Sequence, residues 1–340
     1  MQRIFALESK LKAAMSTVKI LAAVAGVTAA TMQGAGAVEK ITFMMSWRAQ
    51  ADQGGFFQAA AKNYYSECGV DVTIKQGGPG IDPAQLLAGG AIDFAVAPFI
   101  DTVLQLNQAG FPARAVMGIY QRSSQILMTH QGNGIEKLED MRGSPIMIAA
   151  ISRKTFWPFF RDKYGWSDSQ IRAYTGQLTP FFADDKAVQQ AFITNEPFLI
   201  KKQTGKAPKT FLLADFGYLT YGALVVTSQG MIDSKPEVVK CMVQAISKGW
   251  TDFLKDPAPG FGMIKAEEPK NTDDLMAYTH KMIIEQKLVQ NEDTEKFGIG
   301  YMSDDRWTKH YEMLLSKKLF DPMNYKEMYT TRFLPKKSGP

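Results

Sequence analysis

The sequence predicts a two-lobed α/β protein, and three observations lead there. Short apolar strands alternate with amphipathic helices from Ile41 onward, the pattern of a mostly parallel sheet. The loops leaving the first three strands are rich in Gly, Pro, Trp and polar residues, and ligands of such sheets collect at the carboxyl ends of the strands. Beyond a leader, about 300 residues remain, more than one core usually holds. Two lobes are therefore expected, with a ligand cleft between them.

The elements follow in order. Ile41 to Met45 is an apolar strand that delivers the loop Trp47 to Gln53 and then Gly54-Gly55. Phe57, Ala60, Ala61, Tyr64 and Cys68 recur at helical spacing, and Gly69 stops that helix. Val70 to Lys75 is the second strand, running into Gly77-Gly78-Pro79-Gly80. A short helix ends at Gly89-Gly90, and a third strand, Ile92 to Ala97, breaks at Pro98. Asp101 to Gln108 is helical, Ala113 to Ile119 a strand, and Gln125 to Thr129 the strand connecting the lobes. Ile135 to Asp140 is a short helix.

The second lobe repeats the alternation. Pro145 to Ala150, Ile171 to Thr175, Phe192 to Thr194 and Lys209 to Leu213 read as strands, and Asp184 to Ala191 and Phe198 to Thr204 as helices. Tyr221 to Thr227 is β-rich and returns the chain to lobe one. There Pro236 to Leu254, Asp273 to Glu285 and Asp304 to Ser316 are helices. The expected organisation is 1–37 leader, 38–128 first lobe, 129–224 second lobe and 225–340 the first lobe's return. Two strands crossing between lobes make a clamp whose closure surrounds ligand.

Residues 1–37 resemble an export signal. Lys10, Lys12 and Lys19 precede or open an apolar, small-residue stretch from Ile20 to Met32, and Ala35-Gly36-Ala37 fits a small-x-small cleavage site. Met15 is the alternative start. The apolar run is short for a membrane span, so cleavage near Ala37 and a soluble periplasmic chain are expected. The leader carries a net charge of +3, and its removal lowers the formal charge from +5 to +2. No basic run is interleaved with aromatics, which sets nucleic acid aside as a partner.

Missing motifs narrow the chemistry. The three histidines, His130, His280 and His310, are far apart, and there is no C-x-x-C, G-x-S-x-G or G-x-x-x-x-G-K. No metal, cofactor or catalytic constellation is expected. Cys68 and Cys241 are the only cysteines. An oxidising compartment permits a bridge, but the spacing of their Cα atoms is not given by sequence, and two unpaired, helix-buried thiols are the preferred reading.

A family resemblance runs through Ser46-Trp47, Asp52-Gln53-Gly54-Gly55-Phe56-Phe57-Gln58-Ala59, Gly69-Val70-Asp71-Val72, Gly77-Gly78-Pro79 and Leu86-Leu87-Ala88-Gly89-Gly90-Ala91-Ile92-Asp93-Phe94, and continues through Thr194-Asn195-Glu196-Pro197. In this order the segments resemble the substrate-binding proteins of ABC importers in the THI5-like (NMT1-like) branch, which is shared with thiamine-pyrimidine synthases. The resemblance implies a type II periplasmic-binding-protein clamp, a small-molecule ligand, and separate permease and ATPase chains as partners. The synthase branch implies a cysteine-rich motif, a consumed histidine and a lysine that holds a pyridoxal cofactor. No cysteine cluster is present, and Gln53 stands where relatives often carry His, which argues against the enzyme.

Candidate ligand residues sit at strand ends. Trp47 is a stacking platform for a flat ring. Asp52 and Gln53 precede the first helix, and Asp52 is expected mainly to cap it. Gly77 and Gly78 allow close backbone approach. Phe99, Gln121 and Ser123 are rim residues, whereas Arg122 reads as solvated. In the second lobe, Ser152, Thr155 and Phe156 mirror the Trp47 loop. Glu196 offers a carboxylate to an amino-substituted heterocycle, and Asp215 and Tyr218 lie near the return crossing. The expected function is capture of a small planar nitrogen heterocycle, pyrimidine-like, by a monomer. A sulfonate, nitrate or other anion is the first alternative, favoured if Arg48, Arg122 or Arg153 points into the cleft. The pyrimidine-forming enzyme and a riboflavin-type or aromatic-acid binder are the others.

Overall fold

The computed structural model describes residues 38–78, 80–174 and 176–335. The expected cleavage near Ala37 lies outside the described residues. Ten strands build two sheets: β1 Glu39–Met44, β2 Val70–Lys75, β3 Phe94–Phe99, β4 Ala113–Tyr120, β5 Gln125–Thr129, β6 Ile146–Ile148, β7 Ile171–Ala173, β8 Val188–Phe192, β9 Lys209–Leu212 and β10 Gly222–Ser228. The first sheet has the order β2-β1-β3-β10-β4 and the second β7-β6-β8-β5-β9. β1 and β3 are parallel, and β10 is antiparallel to both β3 and β4. The chain passes from the first sheet to the second through residues 121–124 and returns through 217–221.

Alternating side chains on each strand feed two faces. In β5, Ile126 and Met128 join one apolar cluster while Leu127 joins another. On one face of the first sheet, the helices Gly54–Ala61 and Pro236–Phe253 pack Phe56, Phe57 and Trp250 against Phe43 and Phe94. Their contact is close because a Cβ on Gly55 would lie 2.1 Å from the Trp250 ring. That glycine is therefore spent on helix packing and not on ligand approach. The opposite face carries Ile100 and Leu104 beside Trp307, Tyr311 and Leu314 of the helix Asp304–Ser316. Ser303 caps that helix by accepting the Arg306 N–H. Among the described residues no helix is long and apolar enough to cross a membrane.

Five sequence expectations are corrected. The helix after Gly54 is broken in two, because Asn63 adopts φ 60° between Gly54–Ala61 and Tyr64–Glu67. β3 runs on through Pro98: its pairing with β1 ends at Met44 and Ala95, so the absent N–H is not needed there. Gln125–Thr129 does not connect the lobes but lies inside the second sheet, antiparallel to β8 and β9. Residues 188–191, read as helix, belong to the central strand β8, because burial between β5 and β6 outweighs the helical preference of its Gln-Gln-Ala run. Cys68 and Cys241 are disulfide-bonded, with Cα atoms 5.6 Å apart. Cys68 closes the helix Tyr64–Glu67 and Cys241 sits on the long helix packed beside it.

Candidate functional site

A recess of about 240 Å³ of open space lies where the loop after β1 meets the loop after β8, lined by Gln50, Asp52, Thr194, Asn195, Asn271 and Met276 among others. Hydrogen bonds pin its first wall. The Ala49 N–H donates to Gln76 Oε1 (3.0 Å), Gln53 Nε2 to the Arg48 carbonyl (2.8 Å), Asn271 Nδ2 to the Ala49 carbonyl (2.8 Å) and the Tyr120 hydroxyl to the Asp52 carbonyl (2.7 Å). Asp52 is thereby held in a 3-10 turn, Ala51–Gln53, and the expected cap is not made: the helix Gly54–Ala61 has no side-chain cap bond.

The second wall is built by β8 and the helix Glu196–Thr204, which starts at Glu196 with Pro197 in its first turn. Glu196 Oε2 accepts the Phe192 N–H at 2.8 Å, folding the carboxylate back on the strand end. The helix Asp273–Glu285 lies across both walls. Its Tyr278 hydroxyl donates to the Ile193 carbonyl (3.0 Å) and Thr279 Oγ1 to the Thr194 carbonyl (2.7 Å).

The electrostatics of this recess are acidic. Desolvation, and next the charge of Glu196, push the Asp52 carboxyl up to about 6. Burial also raises Glu196, against the opposing pull of its hydrogen bonds from Phe192, Asn195 and Tyr174. Asp52 keeps some solvent exposure as a residue, but its Oδ1 is shut away without a hydrogen-bond partner. Among the described residues neither carboxyl is paired with a cation.

A second polar group lies where the carboxyl ends of β3 and β6 approach each other. His310 Nε2 is 2.9 Å from Asp101 Oδ2, and the His310 ring meets the Tyr218 ring edge-on at 5.5 Å. Thr155 neighbours the Tyr218 hydroxyl, although neither meets hydrogen-bonding geometry with the other. Asp101 and His310 ride on helices packed against the first sheet, Thr155 on the loop after β6, and Tyr218 on the return crossing.

The structure divides the expected site residues. Asp52 lines the recess and feels the charge of Glu196, which does not line it; Tyr218 meets His310, with Thr155 and Phe156 beside Tyr218. Phe156 is wholly buried and packs on Phe160 and Tyr218, so it is core. Ser152 is buried and donates to Gln190 Oε1 at 2.6 Å, tying its loop to β8. Ser123 Oγ accepts the Gln125 N–H, and Gln121 Nε2 donates to the Gly118 and Tyr301 carbonyls; both hold the outgoing crossing. Gly77 is required by packing, since a Cβ there would sit 2.5 Å from the Met45 carbonyl oxygen, and Gly78 follows it beside Arg48. Phe99 is buried at the end of β3. Asp215 is exposed and paired with Arg122, which also donates to the Gln286 carbonyl, so Arg122 is not simply solvated. Trp47 remains 45% exposed, and Ile81 and Ile151 stand exposed on the loops after β2 and β6.

Several site residues were missed. Thr194 and Asn195 had entered only through a resemblance, and Asn271, Thr279, Asp101 and His310 not at all. Asp101 had a usable signal, being two residues past the end of a strand. His310 had none, lying 209 residues from its partner.

A family model described as NMT1/THI5 like matches residues 50–259. The chain is 25% identical over 309 residues to the riboflavin-binding protein RibY of Chloroflexus aurantiacus, covering 88% of this chain and 87% of the relative. It is 24% identical over 233 residues to the 4-amino-5-hydroxymethyl-2-methylpyrimidine phosphate synthase of Schizosaccharomyces pombe, covering 64% of this chain and 66% of the relative. Among solved structures, the periplasmic aliphatic sulphonate binding protein SsuA from Escherichia coli aligns with a TM-score of 0.66 at 9% identity, over 85% of this chain and 91% of that one. The two sheets thus form the two-lobed α/β fold of periplasmic binding proteins.

Proposed function

The chain belongs to the NMT1/THI5-like family, and from that premise we propose that it is the solute-binding component of an ABC importer, capturing a small planar nitrogen heterocycle between its lobes. The observation that carries this reading is the recess itself. Gln50 and Asp52 from the first sheet's loop and Thr194 and Asn195 from the second sheet's loop line one space, and Asp52 Oδ1 is buried there without a partner. An unpaired buried acceptor is costly, and a ligand N–H satisfies it. Trp47, Ile81 and Ile151 stay exposed on the loops after β1, β2 and β6, and we assign them to the apolar rim of the cleft, since small-ligand pockets mix apolar walls with few polar groups.

Anions are disfavoured. Arg48 pairs with Glu268 at 3.7 Å, Arg122 with Asp215, and Arg153 is exposed. The acidic recess would repel a sulfonate. A riboflavin-type ligand is the second reading, supported by the RibY likeness. The synthases among the relatives bring in catalysis, but no paired nucleophile and base lines this recess, and we assign none.

We place the lobe boundaries at the crossings 121–124 and 217–221, which would flex as the clamp closes. Export to the periplasm as a monomer, with a permease and an ATPase as separate partner chains, completes the proposal. The disulfide supports export, because such bonds persist in oxidising compartments. The test is native mass spectrometry of freshly purified protein, followed by thermal-shift screening with pyrimidines, flavins, sulfonates and nitrate. Ligand bound only to the native state raises the midpoint. A single-ring heterocycle should give the largest shift, and a response confined to anions overturns the reading.

A further inference from the structure

The helix Asp304–Ser316 does more than cover the first sheet. Trp307, Tyr311 and Leu314 turn one stripe of it into that sheet's apolar cluster, while Asp305, Lys309 and Glu312 take the solvent side. Arg306, His310, Met313 and Lys317, the last closing the helix, recur at helical spacing on a neighbouring stripe. Each of these four reaches beyond the first sheet. Arg306 Nη1 donates to the Gln121 carbonyl on the outgoing crossing, and its guanidinium lies 4.5 Å over the Tyr221 ring on the return crossing. The His310 ring meets Tyr218, also on the return crossing, at 5.5 Å. Met313 packs against the apolar clusters of both sheets. Lys317 Nζ is 2.7 Å from Asp162 Oδ2 on the helix Phe156–Tyr164, whose Phe156, Trp157 and Phe160 belong to the second sheet's core.

We propose that this stripe is a catch on the clamp: Arg306 and His310 seat the helix on the two crossings, and Met313 with Lys317 hold the second sheet in the position seen here. This rests on the clamp reading above and names the element that governs its opening. The stripe divides along its length. Its first half touches the crossings, where a hinge motion is smallest, and its second half touches the body that swings. Lys317 lies about 10 Å along the axis from His310, at ~1.5 Å per residue. Rotation of the second sheet about the crossings therefore keeps the first contacts and carries Asp162 away from Lys317. The contacts that must break are weak ones. The ion pair is partly exposed, at 25% and 39%, and such pairs contribute little. Met313 is half-buried, and methionine repacks easily. Weak contacts suit a catch that opens and recloses, and they set how much of the ligand-free protein is already closed.

The test places spin labels on Ser316→Cys and Ser169→Cys, both exposed positions, in the full chain with its native disulfide intact. Pulsed electron resonance then reads the distance between them without ligand. The labelled parent should show a dominant short distance and a minor longer one. Asp162→Lys sets two ammonium groups against each other and should raise the longer population several-fold. Adding Lys317→Glu to it restores an attractive pair and should return the parent distribution, which a general loss of stability would not do. Met313→Ala should shift the population in the same direction as Asp162→Lys. An unmoved distribution in folded Asp162→Lys, or one that the charge swap fails to restore, overturns the proposal. Should Asp162→Lys not fold, Lys317→Ala, at a largely solvated side chain, must raise the longer population or the catch fails there too. Neither result touches the functional reading, which stands or falls on the ligand screen alone.

Discussion

His310 Nε2 lies 2.9 Å from Asp101 Oδ2, with both side chains buried, at 1% and 2% exposure, where the two sheets meet. Asp101 Oδ1 has no other partner. His310→Ala would leave a buried carboxyl without its hydrogen bond, and should lower stability by on the order of 2–5 kcal/mol in urea unfolding. The pair Asp101→Leu with His310→Leu should recover much of that loss, since neither partner is then stranded.

Asp52 makes stability depend on pH. Its folded-state value of about 6 lies above the ordinary 3.8, so the folded protein takes up a proton that the unfolded chain releases. Its contribution is fully present below about pH 3.8 and is lost as pH rises through 6. Asp52→Asn should therefore be more stable than wild type at pH 7.5, by at most about 3 kcal/mol. The gap should close on acidification toward pH 4. Thermal midpoints measured across that range without ligand check it, and a gap independent of pH refutes the assignment.

Gln189 sits in β8 opposite Met147 on one side and Met128 on the other, with both amide atoms buried and unpartnered. Gln189→Met removes the stranded dipole at similar volume. It should raise stability by roughly 1–2 kcal/mol, read as a shifted denaturation midpoint with unchanged slope. A destabilised variant would show that the amide has a partner after all.

Reducing the bond between Cys68 and Cys241 should lower the thermal midpoint. It closes a loop spanning 173 positions, and removal of a native disulfide commonly costs about 2–5 kcal/mol. Scanning calorimetry with and without reductant, at matched ligand, measures the effect.

Trp47 is 45% exposed, so its removal should cost the fold little. Trp47→Ala should leave the unliganded midpoint within about 0.5 kcal/mol of wild type. It should weaken heterocycle binding by on the order of 1–3 kcal/mol, the scale of a ring stacked on an aromatic. Equal binding by both proteins would move the ligand away from this rim.

What the sequence showed, it showed through local signals. The helices Asp273–Glu285 and Asp304–Ser316 were legible to the residue, because a Thr or Ser precedes two acidic residues and an amphipathic run follows. β8 was not, since its Gln-Gln-Ala segment is decided by its neighbours in the sheet. Asp52 and Glu196 were visible as strand-end polar residues, but the influence of one's charge on the other was not. Nor was the way helix Asp273–Glu285 binds the second wall through Tyr278 and Thr279. Long-range pairs such as Cys68 with Cys241 leave no trace in local pattern, and here the preference for free thiols was overturned.

The position of that bond has a mechanical consequence. Cys68 and Cys241 both belong to the first lobe's flank, and all of β2 through β10 lies between them. A pull on the chain's two ends would run through the sulfur bridge and bypass the second sheet. In an optical trap the oxidised protein should hide 173 positions, about 600 Å of contour at ~3.5 Å per residue, and release them only when reductant opens the ring. The second lobe is thus a domain threaded into a covalent loop, shielded from tension applied at either terminus.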